Sequence, residues 1–292
     1  MRIYTRAGDL AFKTFTFPDG QPHFKLETYE DEFRSVTVEM AIRNPTELLQ
    51  AVLVNQVLRQ QGYSEVNLDI RYLLGARMDR AIGPDEPFTL ECVARMINGC
   101  GFSRVRILDA HSEVATRLIR NSINVLPYQA VSAAALGSVN YYKEPARWVI
   151  PDKGAESRVM DFWKHVSHAT EKIIRASKKR NPSTGALSGF SVDDGKSFLT
   201  SGEAACLIID DICDGGGTFV GLAKELRKAG AKRVNLFVTH GIFSKGPWLE
   251  GIDRIFTTDS YYVPNPTDVY GHKNLVPYPV TVIPISMKEL KV

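Results

Sequence analysis

Short β-rich runs alternate with longer amphipathic segments along most of the chain, and that rhythm restricts the fold more than any other feature. Ser35–Met40 reads as a strand, and a helix follows from Asn44, opened by Pro45 and Thr46 and stopped by Gly62. A strand over 65–74, a helix over 89–101 and a strand over 104–111 complete a first series. A second series has strands over 147–152, 171–179, 205–211 and 233–240, with helices over 155–166 and 218–230. Such alternation predicts α/β architecture, each domain a largely parallel sheet flanked by helices. The polar, proline-ended stretch Leu136–Pro145 separates the two series. Two domains are therefore expected, 1–137 and 138–292, which a length of 292 residues accommodates.

Composition excludes several classes. Hydrophobic residues make up 44% and charged residues 24%, enough for a sizeable core. A formal charge of +3 argues for neither a nucleic-acid nor a membrane partner. Cys92, Cys100, Cys206 and Cys213 lack CxxC spacing and read as reduced core or loop thiols. No apolar run approaches ~18 residues, and the N-terminus lacks a leader pattern, so a cytoplasmic location is expected.

The chemistry concentrates in Leu207–Ala223, "LIIDDICDGGGTFVGLA". Its apolar start reads as a buried parallel strand. Asp210 and Asp211 fall at the carboxyl end, where open α/β sheets bind ligands. The loop Asp214, Gly215, Gly216, Gly217, Thr218 then leads into a helix whose free N–H groups favour an anion. Glycines let the backbone approach a phosphate, and carboxylates accept hydrogen bonds from sugar hydroxyls or hold a metal ion. Acids and an anion cradle on one turn suit a sugar phosphate. The plain alternative is a tight strand-to-helix turn with an Asp cap and no ligand.

"LIIDDICDGGGT" resembles the phosphoribosyl-pyrophosphate loop of type I phosphoribosyltransferases and of ribose-phosphate pyrophosphokinases (PRPP synthetases). Five further segments, in order, resemble the pyrophosphokinases in particular. "FPDGQ", with Phe17, Asp19 and Gln21, is similar to the family segment that reaches the adenine of ATP in a neighbouring subunit. "GARMDR", with Arg77 and Asp79, is similar to its ATP-contacting stretch. "LDAHSE" carries His111, which the resemblance places at the metal and the ATP phosphates. "PDKGAESR" carries Asp152, placed beside the ribose or a second metal. "KKR" falls where the family has its catalytic Lys-x-Arg, here Lys178 and Arg180. The match spans about residues 17 to 246.

What the resemblance implies is transfer of the β,γ-pyrophosphoryl group of ATP to the anomeric hydroxyl of ribose 5-phosphate, with Mg2+ and release of AMP. Lys178, Arg180 and His111 would be catalytic, and His111 and Asp152 would serve the metal. Asp152, Asp210 and Asp211 would grip the ribose, with 214–218 around its 5′-phosphate. The active site would lie between the domains, in a homodimer or hexamer whose site a neighbouring subunit completes. Two residues apart on an extended segment, Lys178 and Arg180 face one side and reach one phosphate group. Taken without the family, "KKR" is a solvated basic turn, His111 a hydrogen-bonded edge residue and Asp152 a helix cap.

Several positions depart from the family pattern. Gln21 stands for Glu, Met78 for Gln and Lys153 for a His common in bacterial members. Gly215 stands for a threonine that helps close the cup around a terminal phosphate. Its loss leaves room for a larger 5′-substituted ribose, ADP-ribose being the leading candidate beside ribose 5-phosphate.

Two other classes compete: a phosphoribosyltransferase that consumes PRPP, and a non-catalytic regulatory homologue. The ATP-related set in residues 17–111 opposes the first, and retention of His111, Lys178, Arg180, Asp210 and Asp211 opposes the second. "GFSVDDGKS" resembles a phosphate-binding Walker segment but has one residue too many between its glycines, and reads as a surface hairpin or loop. His240 ends the last strong strand and is given no catalytic role.

Overall fold

A computed structural model describes residues 1–28, 34–138, 146–166, 172–180, 187–193, 205–263 and 280–290, the side chains of 178–180 and 187–193 excepted. The chain divides into two compact units, Met1–Leu126 with Ser286–Val292, and Pro127–Ile285.

In the first unit, β4 (Ser35–Ala41), β5 (Glu65–Tyr72), β6 (Arg104–Leu108) and β7 (Ser122–Val125) run parallel, and β1 (Arg2–Tyr4) pairs antiparallel with β4. The order is β1-β4-β5-β6-β7. Helix α1 (Pro45–Gln60) starts where the sequence predicts, because Pro45 is pre-set for the first turn. The Asn44 side chain accepts the Glu47 N–H at 2.9 Å, and the Glu47 carboxylate accepts the Arg43 N–H at 2.6 Å. That reciprocal arrangement satisfies donors on both sides of the helix start. Leu48, Ala51, Val54 and Leu58 of α1, with Leu90, Val93 and Ile97 of α2 (Thr89–Gly99), pack into one core with Val36, Val38, Val66, Leu68 and Ile70. A two-stranded hairpin, β2 (Phe12–Thr16) and β3 (Pro22–Leu26), forms its own small sheet. A short α3 (Val114–Leu118) lies between β6 and β7.

A buried polar group stitches this sheet. Asp69 on β5 lies opposite Arg106 on β6 in the ladder. The Arg106 guanidinium donates to Asp69 through Nε at 2.8 Å and Nη2 at 2.5 Å, and through Nη1 to the Leu290 carbonyl at 3.3 Å. The Tyr4 hydroxyl also donates to Asp69, at 3.0 Å. Burial and the adjacent carboxylate push the Tyr4 phenol well above its ordinary range.

In the second unit, β8 (Arg147–Ile150), β9 (Ile173–Arg180), β11 (Ala205–Cys213), β12 (Arg233–Gly241), β13 (Arg254–Thr258) and β14 (Val280–Ile283) are parallel. Strand β10 (Leu187–Asp193) closes one edge antiparallel to β9, giving the order β10-β9-β8-β11-β12-β13-β14. Residues 189–193 of the Walker-like segment thus lie on an edge strand of a hairpin; residues 194–197 lie outside the described residues. Helices α4 (Tyr128–Gly137), α5 (Glu156–Val166) and α6 (Gly217–Lys228) belong to this unit. Continuous burial along β11 and β12 is what parallel strands covered on both faces require. The expected boundary at 137/138 falls at the end of α4, whereas the contact division falls before that helix.

Candidate active site

The strands of the second unit bring three predicted segments to one edge of its sheet, the carboxyl ends. Asp152 follows β8, Lys178 and Arg180 lie on β9 beyond Arg175, the last residue paired with β8, and Asp210 and Asp211 lie near the carboxyl end of β11, before Ile212 and Cys213 close it. The backbone of 178–180 is extended, as expected, and the Lys178 and Arg180 side chains lie outside the described residues. His240 on β12 sits opposite Ile212, buried, with its Nδ1 2.8 Å from the Ser260 hydroxyl. That contact is structural, within a network in which Thr258 also donates to the Thr239 carbonyl.

Arg158, the last residue of the PDKGAESR segment, holds the acidic pair. Its Nη1 lies 3.7 Å from Asp210 Oδ1 and 3.5 Å from Asp211 Oδ1. It comes from the first turns of α5, and the Asp–Lys–Gly–Ala turn before that helix sets its direction. Asp152 caps this turn, its Oδ1 accepting the N–H groups of Gly154 at 2.9 Å and Ala155 at 3.1 Å. Asp152 therefore fills its structural role as a cap and sits close enough to influence Asp210 electrostatically.

Burial raises the Asp210 carboxyl well above the usual carboxylate range, Asp211 raises it further, and Arg158 only partly opposes this. The consequence for stability has a definite sign. The unfolded chain releases this proton near pH ~4, while the folded protein holds it to higher pH. Stability present below the unfolded pKa is thus lost as pH rises through the folded one. Asp210→Asn, a neutral isostere, should unfold at a higher temperature than the native chain at neutral pH, with the gap closing toward pH ~4. Melting curves across pH check this; equal melting temperatures at neutral pH would contradict it.

After β11 the loop reaches α6 through three glycines with different reasons. Gly216 is the N-cap in the left-handed region (φ 74°), and a Cβ there would stand 2.2 Å from Leu249 Cδ2, so glycine is required. Gly217 opens the helix with space around it, and Gly215 has ordinary backbone and room for a side chain. Asp214 precedes the glycines half-buried, and Thr218 lies in the first helical turn, where backbone N–H groups have no partner in a preceding turn. The N-terminal end of any helix favours an anion over a cation. The thiols at the two ends of β11 are inert, since burial pushes both Cys206 and Cys213 up to about 12.

In the first unit the loops after β5 and β6 carry the remaining predictions. Gly75 takes φ 76° beneath Thr89 and turns the chain into exposed Arg77 and half-buried Asp79. After β6, buried Asp109 adopts φ 43°, a strained conformation for a non-glycine residue, and its neighbour Ala110 donates to Asn124 Oδ1 at 2.8 Å. This strained corner presents half-buried His111 at the carboxyl edge of the same sheet. Phe17, Asp19 and Gln21 form the tip of the β2–β3 hairpin. There the Asp19 carboxylate accepts the Gln21 N–H at 3.0 Å and Gly20 takes φ 89°. Phe17 is exposed and packs at 5.0 Å from the Phe15 ring and 5.5 Å from His23, two residues with no place among the sequence-predicted site residues. The two-residue spacing of Phe15 and Phe17 was a signal for the first; His23, paired with Phe15 across the hairpin, left none.

Among the described residues no three of His, Cys, Asp and Glu gather into a metal site. Nor is any described helix long and apolar enough to cross a membrane.

Two parallel sheets flanked by helices, one with an acidic strand end followed by a glycine loop, define a pair of phosphoribosyltransferase-type domains. No family model matches the chain. It is 27% identical over 284 residues to the ribose-phosphate pyrophosphokinase of Thermococcus kodakarensis, covering 94% of this chain and 89% of that protein. It is 26% identical to that of Pyrococcus furiosus, covering 92% and 87%. The phosphoribosylpyrophosphate synthetase of Mycobacterium smegmatis shares the fold, with a TM-score of 0.72 at 18% identity over 94% of this chain and 86% of that one. Over most of its length the chain is similar in sequence to ribose-phosphate pyrophosphokinases, as a divergent relative would be.

Proposed function

We propose that the protein is a diphosphokinase that transfers the β,γ-pyrophosphoryl group of ATP to the anomeric hydroxyl of a 5-phosphorylated ribose. In the simplest case ribose 5-phosphate becomes PRPP. The ribose 1-oxygen attacks the β-phosphorus, the bond from that phosphorus to the oxygen bridging the α-phosphate breaks, and AMP leaves. The observation that carries the reading is the convergence of Asp152, Asp210, Asp211 and the 214–218 loop with the Lys178/Arg180 strand at one sheet edge. Phosphoryl transfer needs positioning and charge stabilisation more than covalent chemistry, and this edge supplies both.

The acids would accept hydrogen bonds from the ribose hydroxyls, with Arg158 keeping two adjacent carboxylates tolerable. Lys178 and Arg180 would neutralise charge gathering on the transferred group. On the first unit, Arg77, Asp79 and His111 would hold the nucleotide phosphates, and Phe17, Asp19 and Gln21 would reach the adenine of ATP in a neighbouring copy, so that the working form is a homodimer or hexamer. Mg2+ suits this donor set, since it keeps waters and phosphate oxygens and asks few ligands of the protein. Asp152 and His111 would each supply at most one. When bound, the ion neutralises the phosphates and aligns them for displacement.

Incubation of the purified protein with Mg-ATP and an acceptor, ribose 5-phosphate or ADP-ribose, should yield AMP and not ADP. ADP as the nucleotide product would contradict pyrophosphoryl transfer. Nucleobase consumption from PRPP without ATP would establish the phosphoribosyltransferase reading instead.

A further inference from the structure

The segment Phe243–Leu249 is built against the acceptor loop. The N–H groups of Ile242 and Phe243 both donate to the Cys213 carbonyl, at 2.8 and 3.1 Å, and Gly246 donates to the Phe243 carbonyl at 2.8 Å. Phe243 is held at φ 49° with its ring packed over Gly241, and buried Leu249 covers Gly216. A strained residue fixed by packing on both sides marks a loop whose position matters.

That loop changes what Gly215 means. Its backbone is not left-handed, and an added Cβ would make ordinary contact, 3.4 Å from Lys245 Cδ and 3.5 Å from Cε. The fold therefore does not require glycine at this position. The exposed lysine stem borders the vacated volume, which brings a mobile cation to the mouth of the phosphate loop. Trp248, 54% exposed, follows on the same short segment, directly before the Leu249 that packs on Gly216. A terminal monophosphate gains from a closed cup of donors. A diphosphate ester needs the opposite: an opening for its bridging oxygen, a cation for the second phosphate and a flat surface for what lies beyond.

We propose that Lys245 and Trp248 extend the acceptor site past its first phosphate, and that the acceptor is a ribose whose 5′-phosphate continues as a nucleoside diphosphate. This rests on the proposed pyrophosphoryl transfer and names its substrate class.

ADP-ribose and ribose 5-phosphate serve as probes, in calorimetric binding and in AMP formation, with the native chain, Lys245→Ala and Gly215→Thr. The native chain should bind and use ADP-ribose better by about ten-fold or more, the effect of one charged contact. Lys245→Ala should weaken ADP-ribose by about ten-fold more than ribose 5-phosphate. Gly215→Thr, whose Cβ would make only ordinary contact with Lys245, should shift preference toward ribose 5-phosphate. Tighter binding of ribose 5-phosphate by the native chain, or equal loss of both probes in Lys245→Ala, would overturn the proposal. Preferential ADP-ribose binding without AMP from either probe would support the extended site and overturn the reaction.

Discussion

Lys178→Ala should lower the rate of AMP formation by roughly two to three orders of magnitude, the cost of removing one preorganised donor to a charged transition state. The melting temperature should stay close to that of the native chain, because Lys178 lies on β9 beyond its last pairing with β8. ATP affinity should change far less than turnover, since the interaction is made mainly as charge develops on the transferred group. Arg180→Ala should resemble it, and the double variant should lose less than the product of the two, as groups acting as a unit do. Single-turnover AMP release with saturating acceptor gives the rate. Undiminished turnover in Lys178→Ala would remove this residue from the mechanism.

The largest effect on stability should come from Asp69→Ala. Asp69 is fully buried and receives the Arg106 guanidinium and the Tyr4 hydroxyl, and Arg106 also reaches the Leu290 carbonyl. Its removal leaves a buried cation without its carboxylate, at a cost of about 3–5 kcal/mol. Replacing the pair together, Asp69→Leu with Arg106→Met, should recover most of that loss, because an apolar pair avoids the desolvation that the ions suffer. Urea unfolding of the three proteins measures this. A loss below about 1 kcal/mol for Asp69→Ala would mean that water reaches Arg106. Function should follow the fold here. Strands β5 and β6, which this pair joins, carry at their ends the loops of Arg77, Asp79 and His111. The Michaelis constant for ATP should therefore rise in the alanine variant.

Much of this architecture was legible because period and punctuation agree. The helix from Pro45 has its cap, its Pro and its apolar face in register, and the burial of β11 and β12 follows their continuous apolar runs. The hairpin β2–β3 was hidden because Phe12 and Phe15 sit three apart, which breaks a strand's alternation, and α4 because its alanines carry little contrast between faces. The site was legible where chemistry is local, in the acids and glycines of 210–218. It was illegible where distant segments meet: Arg158 reaching Asp210 and Asp211, Leu249 dictating Gly216, and Lys245 bordering the space beside Gly215. The family resemblance assigned roles by segment, yet it said nothing of these contacts, which depend on side chains brought together by the fold.

Transfer of label from [β-32P]ATP tests the central claim most directly. With Mg2+ and ribose 5-phosphate or ADP-ribose as acceptor, the β-phosphate should appear in the sugar product in equal amount to the AMP released. Label remaining in ADP, or released as free pyrophosphate without a labelled sugar, would contradict it.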